Sequence, residues 1–384
     1  IIFNVGLRFD YFEPDGEVLA DPTDPQLYNP FNPAHIVKPL TERASPEDSL
    51  YTVAERKRFW FKKAKAKYQL SPRLGIAFPI TDRGVIHVSY GHFFQNPPLN
   101  FLYENPEFEI YGAGATDLIG NADLGPERTV MYEIGLQQAV GQNFNFDVTG
   151  FYRDIRDWIG ISFPIDTYGG RTTYTKYVNK DYAAAQGITL SGRYQTSTLL
   201  VGLDYTYMSA EGTTSDALDA YNDLKNQRAP RVQMVNLNWD QTHTLNLTCT
   251  YRTKGWLLGL IGRLASGMPY TPTFARGEVS GTGTFSGLRE NSERMPPTKT
   301  FDVRLSKEMR WKGIRWELFV NCYNIFDTRN VRYVYTDTGT ADYTLESVHL
   351  ERRVIEISDA KEYFAQPGRY YPPRLIQWGV GIGF

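Results

Sequence analysis

The chain has 384 residues, with 41 basic and 43 acidic side chains and a formal net charge of −2 at pH 7, a balance neither basic enough to point to nucleic acid nor acidic enough to point to a disordered tail. Aromatic residues make up 14%, including 26 Tyr and 7 Trp, a composition suited to membrane–water interfaces, where one end of a ring is dry and the other wet. Mean hydropathy is −0.41 and no stretch approaches the ~20 apolar residues of a membrane helix, so a membrane span is excluded only if it must be helical; a barrel strand needs ~9–11 residues with alternate side chains apolar.

The chain opens at Ile1-Ile2-Phe3, with no Met and no leader, already inside an alternating run. It is therefore expected to be a piece of a longer protein. In the first run Phe3, Val5, Leu7, Phe9 and Tyr11 alternate with Asn4, Gly6, Arg8 and Asp10. Farther on, Phe144, Phe146, Val148 and Tyr152 alternate with Asn145, Asp147, Thr149 and Arg153. At the end, Ile376, Trp378, Val380, Ile382 and Phe384 alternate with Gln377 and three glycines. A helix would scatter such residues around its circumference, whereas a strand places them on one face. The same period predicts twelve strands, near 1–12, 72–80, 84–95, 128–140, 143–157, 183–196, 198–211, 240–252, 255–267, 299–310, 313–325 and 374–384.

The connections between these strands alternate strictly in length. Five are tight: Thr81-Asp82-Arg83-Gly84, Gly141-Gln142, Ser197, Lys254-Gly255 and Trp311-Lys312-Gly313. Six are long: 13–71, 96–127, 158–182, 212–239, 268–298 and 326–373. Short turns on one side and long loops on the other mark an outer-membrane barrel, with turns in the periplasm and loops outside the cell. An even number of strands puts both chain ends on the periplasmic side. The long connections are rich in Pro, Asn, Asp, Gly and Tyr and are expected as irregular loops folding over the barrel mouth. The fold class is thus all-β, a transmembrane antiparallel up-and-down barrel.

Two faces follow from parity. Ile86, Val88 and Tyr90, then Tyr132, Ile134 and Leu136, then Leu203, Tyr205 and Tyr207, then Ile314, Trp316, Leu318 and Val320 are assigned to lipid, with Tyr and Trp near strand ends as aromatic girdles. Arg8, Glu133, Asp147, Arg193, Arg263, Asp302, Arg304 and Glu317 fall on the opposite parity. An Arg facing lipid at the midplane would cost roughly 2–4 kcal/mol, so these residues line a polar lumen, where they either pair with one another around a channel or grip a plug. Cys249 and Cys322 lie on the apolar parity, three strand spacings or about 14 Å apart, too far for a disulfide. Five His without metal-type spacing predict no metal site, and no nucleophile–base arrangement points to an enzyme or a cofactor.

Several segments, taken in order, resemble the C-terminal barrel of TonB-dependent receptors. They are Ser71-Pro72-Arg73-Leu74-Gly75 followed by Val88-Ser89-Tyr90-Gly91; Asn121-Ala122-Asp123-Leu124-Gly125-Pro126-Glu127-Arg128-Thr129; Gly150-Phe151-Tyr152-Arg153-Asp154; Ser266-Gly267-Met268-Pro269-Tyr270; Asn321-Cys322-Tyr323-Asn324-Ile325-Phe326-Asp327; and Pro373-Arg374 leading to terminal Phe384. The subgroup they look most similar to is the Oar-like receptors, which carry a carboxypeptidase-regulatory-like N-terminal domain. The motifs also have structural readings: Pro126 suits a rim where a loop meets a strand, and Asn324 and Asp327 suit satisfaction of backbone groups at a rim.

The resemblance implies that residues 1–384 are one partial barrel domain, the last twelve strands of ~22, with the plug and early strands outside this sequence. It further implies outer-membrane lipid, the protein's own plug domain, the TonB energy-coupling protein and the barrel-assembly machinery as partners, the last reading Phe384 as an assembly signal. A surface lipoprotein lid is a further partner suggested by relatives, and nucleic acid is not one. Tyr103, Tyr111, Tyr168 and Tyr270 are candidate ligand contacts on the long loops, although aromatic loop residues also serve simply to pack loops. Three functions stay open: an energised transporter for an iron chelate, vitamin, glycan or peptide; a passive porin-like channel or structural scaffold; and a soluble all-β binding module.

Overall fold

In the computed structural model, residues 1–110, 117–214, 216–225, 233–273, 289–345 and 366–383 are described. Twelve long strands carry the architecture: β1 (Ile2–Phe12), β2 (Lys67–Thr81), β3 (Gly84–Gln95), β4 (Glu127–Val140), β5 (Phe144–Ile161), β6 (Thr173–Gln195), β7 (Leu199–Gly212), β8 (His243–Thr253), β9 (Trp256–Ala265), β10 (Thr298–Trp311), β11 (Ile314–Tyr323) and β12 (Leu375–Gly383). Each pairs antiparallel with its neighbour in sequence, from β1 to β12 without a crossover. The sheet path begins at β1 and ends at β12, so among the described residues the sheet is open, with an unpaired edge on each outer strand.

The tight turns explain the pairing. At Lys254-Gly255 and Lys312-Gly313 both central residues have positive φ, 44° and 78°, then 51° and 82°, the hand of hairpin turn that matches strand twist and favours glycine. The register that follows locks the faces. Tyr90 lies opposite Tyr132, and Tyr132 opposite Tyr152, with ring centroids 5.2 Å and 6.3 Å apart. One residue pair farther toward the tight turns, Val88, Ile134, Gly150, Ile188 and Tyr207 share a row. At the tight-turn end Trp311 and Trp316 lie 6.4 Å apart. Lys307 is on the apolar parity there, but its ammonium lies 4.9 Å over the Trp256 ring and donates to the Lys254 carbonyl, a snorkelling placement at the rim of a band. Cys249, Leu260, Val303 and Cys322 occupy one row, so three strand spacings separate the two free thiols.

All twelve expected strands form, and the differences lie at their loop ends. β2 starts at Lys67 rather than 72, β5 continues to Ile161 rather than 157, and β6 starts at Thr173 rather than 183. Register shifts between Asn179 and Asp181 and between Asp181 and Ala183 explain why periodicity stopped short. Bulges add residues to one strand and break the period of two; beyond them Tyr174 and Tyr177, on opposite parities, are both buried because each packs in a different loop cluster. The part of this hairpin before Ala183 and after Ile155 therefore rises beyond the apolar band.

The described parts of the long connections carry helices, ribbons and packed clusters rather than irregular loop alone. Residues 13–66 contain a ribbon, Glu17–Leu19 paired with Phe61–Lys63, and helix α1 (Val53–Trp60), started by a reciprocal cap between Thr52 and Glu55. Asp24 is fully buried because its carboxylate accepts from the backbone N–H groups of Phe31 and Asn32, at 2.8 and 3.0 Å, and contacts His35. Helix α2 (Leu99–Tyr103) and helix α3 (Asp219–Lys225) lie in later connections. Two hydrophobic clusters tie these segments to the raised hairpin. Leu19, Leu27, Trp60, Phe108, Ile110 and Ile119 surround Tyr174, and Leu102 and Leu124 pack on Ile159, Ile161 and Tyr177. A third, of Ala183, Ala185, Ala210 and Leu237, seals the rim between β6 and β7.

Candidate ligand site among the loops

The polar residues expected to line a lumen all share the face opposite the apolar band. One row across seven strands reads Gln137, Asp147, Ser191, Asp204, Asn246, Arg263 and Thr300. Asp147 accepts from the Thr149 hydroxyl at 2.7 Å, and Arg263 donates to Gln241 at 3.3 Å. Arg304 pairs with Glu317 at 2.9 Å while its guanidinium lies 5.0 Å over the Phe319 ring, and Arg8 pairs with Asp10 at 2.7 Å. Glu133 is half-buried between Ser89 and Phe151, and Arg193 is exposed between Asn145 and Gly202. Asp302 accepts from the Asn324 backbone N–H at 2.8 Å, a rim contact.

The motif asparagines act as fasteners. Asn324 has φ 49°, and its amide donates to the Thr328 carbonyl and accepts from the Thr328 N–H, both at 3.0 Å. Asp327, also at positive φ, accepts from the Arg374 N–H at 2.9 Å and so anchors the approach to β12. Asn121 donates to the Tyr177 carbonyl at 2.9 Å, and Asn179 bridges Gly125 and Asp157. The contacts of Asn121 and Asn179 hold the loop ends beside the cavities.

Two adjoining cavities open between the first and second long connections and the raised hairpin. The larger, of about 520 Å³, is walled by Leu27, Phe61, Leu102, Tyr103 and Phe108, with Asp15, Glu17, Glu104 and Glu107 among its charged residues. The smaller, of about 130 Å³, is walled by Leu19, Lys62, Asp123, Tyr174 and Lys176. Phe108 and Gly120 belong to both. A Cβ on Gly120 would fall 2.5 Å from the Glu104 nitrogen, and the Gly120 N–H donates to the Glu104 carbonyl at 2.6 Å, so glycine is what lets the two segments meet. Glu104 also accepts from the Tyr177 hydroxyl at 2.8 Å. Burial pushes Asp123 upward, but the Lys65 N–H and the Lys67 ammonium outweigh it and hold the carboxyl below its ordinary value.

Of the four candidate tyrosines, Tyr103 lines the larger cavity. Tyr168 sits on an exposed turn whose backbone N–H donates to the Thr23 carbonyl at 2.7 Å, and Tyr270 lies in the ribbon Pro269–Tyr270 with Glu293–Arg294, its hydroxyl beside Gly339. Neither is in the walls of the two cavities. Tyr111 and Phe384 lie outside the described residues. Sequence reading missed Lys62, Phe108, Tyr174 and Lys176; the available signal was the aromatic-rich run Thr173–Tyr182, which reads as a strand once a bulge is allowed. Among the described residues no group of three His, Cys, Asp or Glu is placed to hold a metal, and no helix is long and apolar enough to cross a membrane.

A family model described as TonB dependent receptor-like, beta-barrel, matches residues 1–325. Among solved structures the chain is similar to the outer membrane transporter YddB from Escherichia coli, at 15% identity over 69% of this chain and 38% of that one, with a TM-score of 0.53. It is also similar to the ferric enterobactin receptor from Pseudomonas aeruginosa, as a point mutant, at 18% identity over 82% of this chain and 40% of that one, with a TM-score of 0.52. A second mutant of that receptor, in complex with enterobactin, gives the same identity and coverage and a TM-score of 0.50. At these identities the likeness shows the fold. The chain spans about two fifths of the length of these structures. Comparison with curated proteins by sequence finds no match.

Proposed function

The chain belongs to the TonB-dependent receptor family through its outer-membrane β-barrel domain, and on that premise we propose that it supplies the last twelve strands of a ~22-strand barrel that captures a ligand with its long loops and imports it past a plug. The observation that carries this reading is the open sheet. Among the described residues a continuous apolar face ends on two strands with unpaired backbone edges, and such edges are not viable in hydrocarbon, where each unsatisfied peptide group costs several kcal/mol. The open edges favour closure by further strands over closure of these twelve alone as a smaller barrel.

In this reading the long loops lie outside the cell and the tight turns and both ends of this chain in the periplasm, as the strict alternation of short and long connections favours. The polar row from Gln137 to Thr300 faces the lumen and offers the plug a surface of both charges. TonB supplies the energy, the barrel-assembly machinery reads the final strand with Phe384, and a surface lipoprotein is a candidate lid. The solved neighbours make ferric chelates the first ligand class to test.

Uptake of radioiron as ferric enterobactin and as a panel of other ferric chelates, by cells with and without TonB, tests the proposal. TonB-dependent accumulation of at least one ligand is expected. Equal uptake in both strains, together with a steady conductance of the purified protein in planar bilayers, would instead identify a passive channel.

A further inference from the structure

The two cavities have opposite electrostatic character. Asp15, Glu17, Glu104 and Glu107 face the larger one against a single lysine, Lys57. The smaller one holds Lys62 and Lys176 against a single carboxylate, Asp123. That carboxylate is already matched: Lys67 Nζ lies 3.2 Å from Asp123 Oδ1, and the Lys65 N–H donates to the same oxygen at 2.6 Å. Among the described residues neither the Lys62 nor the Lys176 ammonium has a hydrogen-bond or ion-pair partner. Lys176 is partly buried, in the part of the hairpin beyond the apolar band; burial and then the nearby Lys62 push its protonation downward, against a smaller upward pull from Asp123.

Two lysines on the wall of one pocket, Lys62 exposed and Lys176 partly buried, repel each other unless something of opposite charge joins them. An oxyanion restores the balance and accepts the ammonium hydrogens. The carboxylates around the larger cavity repel the same group, so it is directed past Phe108 and Gly120 into the smaller one. About 130 Å³ holds a carboxylate, phosphate or sulfate but not a whole chelate.

We propose that the smaller cavity is an oxyanion subsite in which Lys62 and Lys176 hold a carboxylate, phosphate or sulfate group of the imported ligand, the rest of which lies against Phe61, Leu102 and Phe108. This rests on the reading that the long loops capture the ligand. A lipid headgroup is a poor source of that anion. Lys176 is ten residues beyond Gln186, the β6 partner of Tyr152 in the outer tyrosine row, which at ~3.3 Å per residue and a tilt of ~40° places it roughly 25 Å above that row.

The test uses the intact receptor in detergent, with lysines reductively methylated with carbon-13, a change that keeps their charge. Lys62→Arg and Lys176→Arg assign the two resonances. Titration with inorganic phosphate, and separately with acetate, is expected to shift both signals saturably while those of Lys254 and Lys312, at the tight turns, stay put. Lys176→Gln is expected to weaken phosphate at Lys62 at least tenfold. No saturable shift, or an equal drift of all lysines, overturns the subsite. A shift with added lipopolysaccharide but not with free phosphate also overturns it, since the anion would then be lipid. Loss of this binding with TonB-dependent uptake intact removes the subsite alone, whereas phosphate binding without TonB-dependent uptake of any ligand removes the transport reading.

Discussion

Lys38 shows how single residues fix the loops. Its side chain is 4% exposed, and its ammonium bonds Asp48 at 2.5 Å and Glu55 at 2.7 Å. The Lys38 bond, followed by the Thr52 backbone and hydroxyl, brings Glu55 from its ordinary 4.5 down to about 2. A depressed acid contributes stability above its unfolded value and loses it as pH falls toward the folded one. The 38–55 segment is therefore expected to loosen between about pH 4.5 and 2 while the strands persist, and hydrogen exchange by mass spectrometry reads it; protection unchanged across that window contradicts the ion-pair account. At Gly120, alanine forces its Cβ into the Glu104 backbone. Overpacking of this kind costs about 1–3 kcal/mol, so Gly120→Ala should raise exchange across residues 99–124 without changing barrel assembly. Asn324→Ala removes two hydrogen bonds at a positive φ and should lower the midpoint of urea unfolding by the equivalent of about 1–3 kcal/mol. Asn324 and Asp327 were legible as rim fasteners because their motif sits at a strand-to-loop transition. Lys62 and Lys176 were not, because nothing local marks two lysines 114 residues apart as neighbours.

At the scale of elements, parity decides everything within the band. Leu136 and Gln137 are adjacent on β4 but face opposite sides, Leu136 between Ile86 and Val148 and Gln137 between Val85 and Asp147. Leu136→Arg should cost roughly 2–4 kcal/mol in vesicles, while Gln137→Arg should stay within about 0.5 kcal/mol of the parent. Equal costs would mean that the two faces are misassigned. The sequence revealed these strands because a strand facing lipid on one side and polar groups on the other cannot depart from period two without penalty. Above the band that penalty vanishes. There, the bulges near Asp181 and the buried pair Tyr174 and Tyr177 obey the packing of the loops instead, and periodicity no longer marks them.

For the whole molecule, the order of strands, the short and long connections and the two faces were all readable from one sequence, because each follows from local chemistry repeated around a barrel. Closure was not, since the sheet path runs from β1 to β12 without joining its ends, and neither was the folded state of the loops, whose cores join segments such as Leu27 and Tyr174 that lie far apart in sequence. The central claim is that these twelve strands are part of a larger, plugged barrel. The most direct test is the intact mass of the native protein from outer membranes, taken folded and after heating. A single polypeptide of more than twice the 43.9 kDa of this chain, migrating faster unheated than heated, is the predicted result. A folded, membrane-embedded protein of about 44 kDa would mean that the twelve strands close alone, and would contradict it.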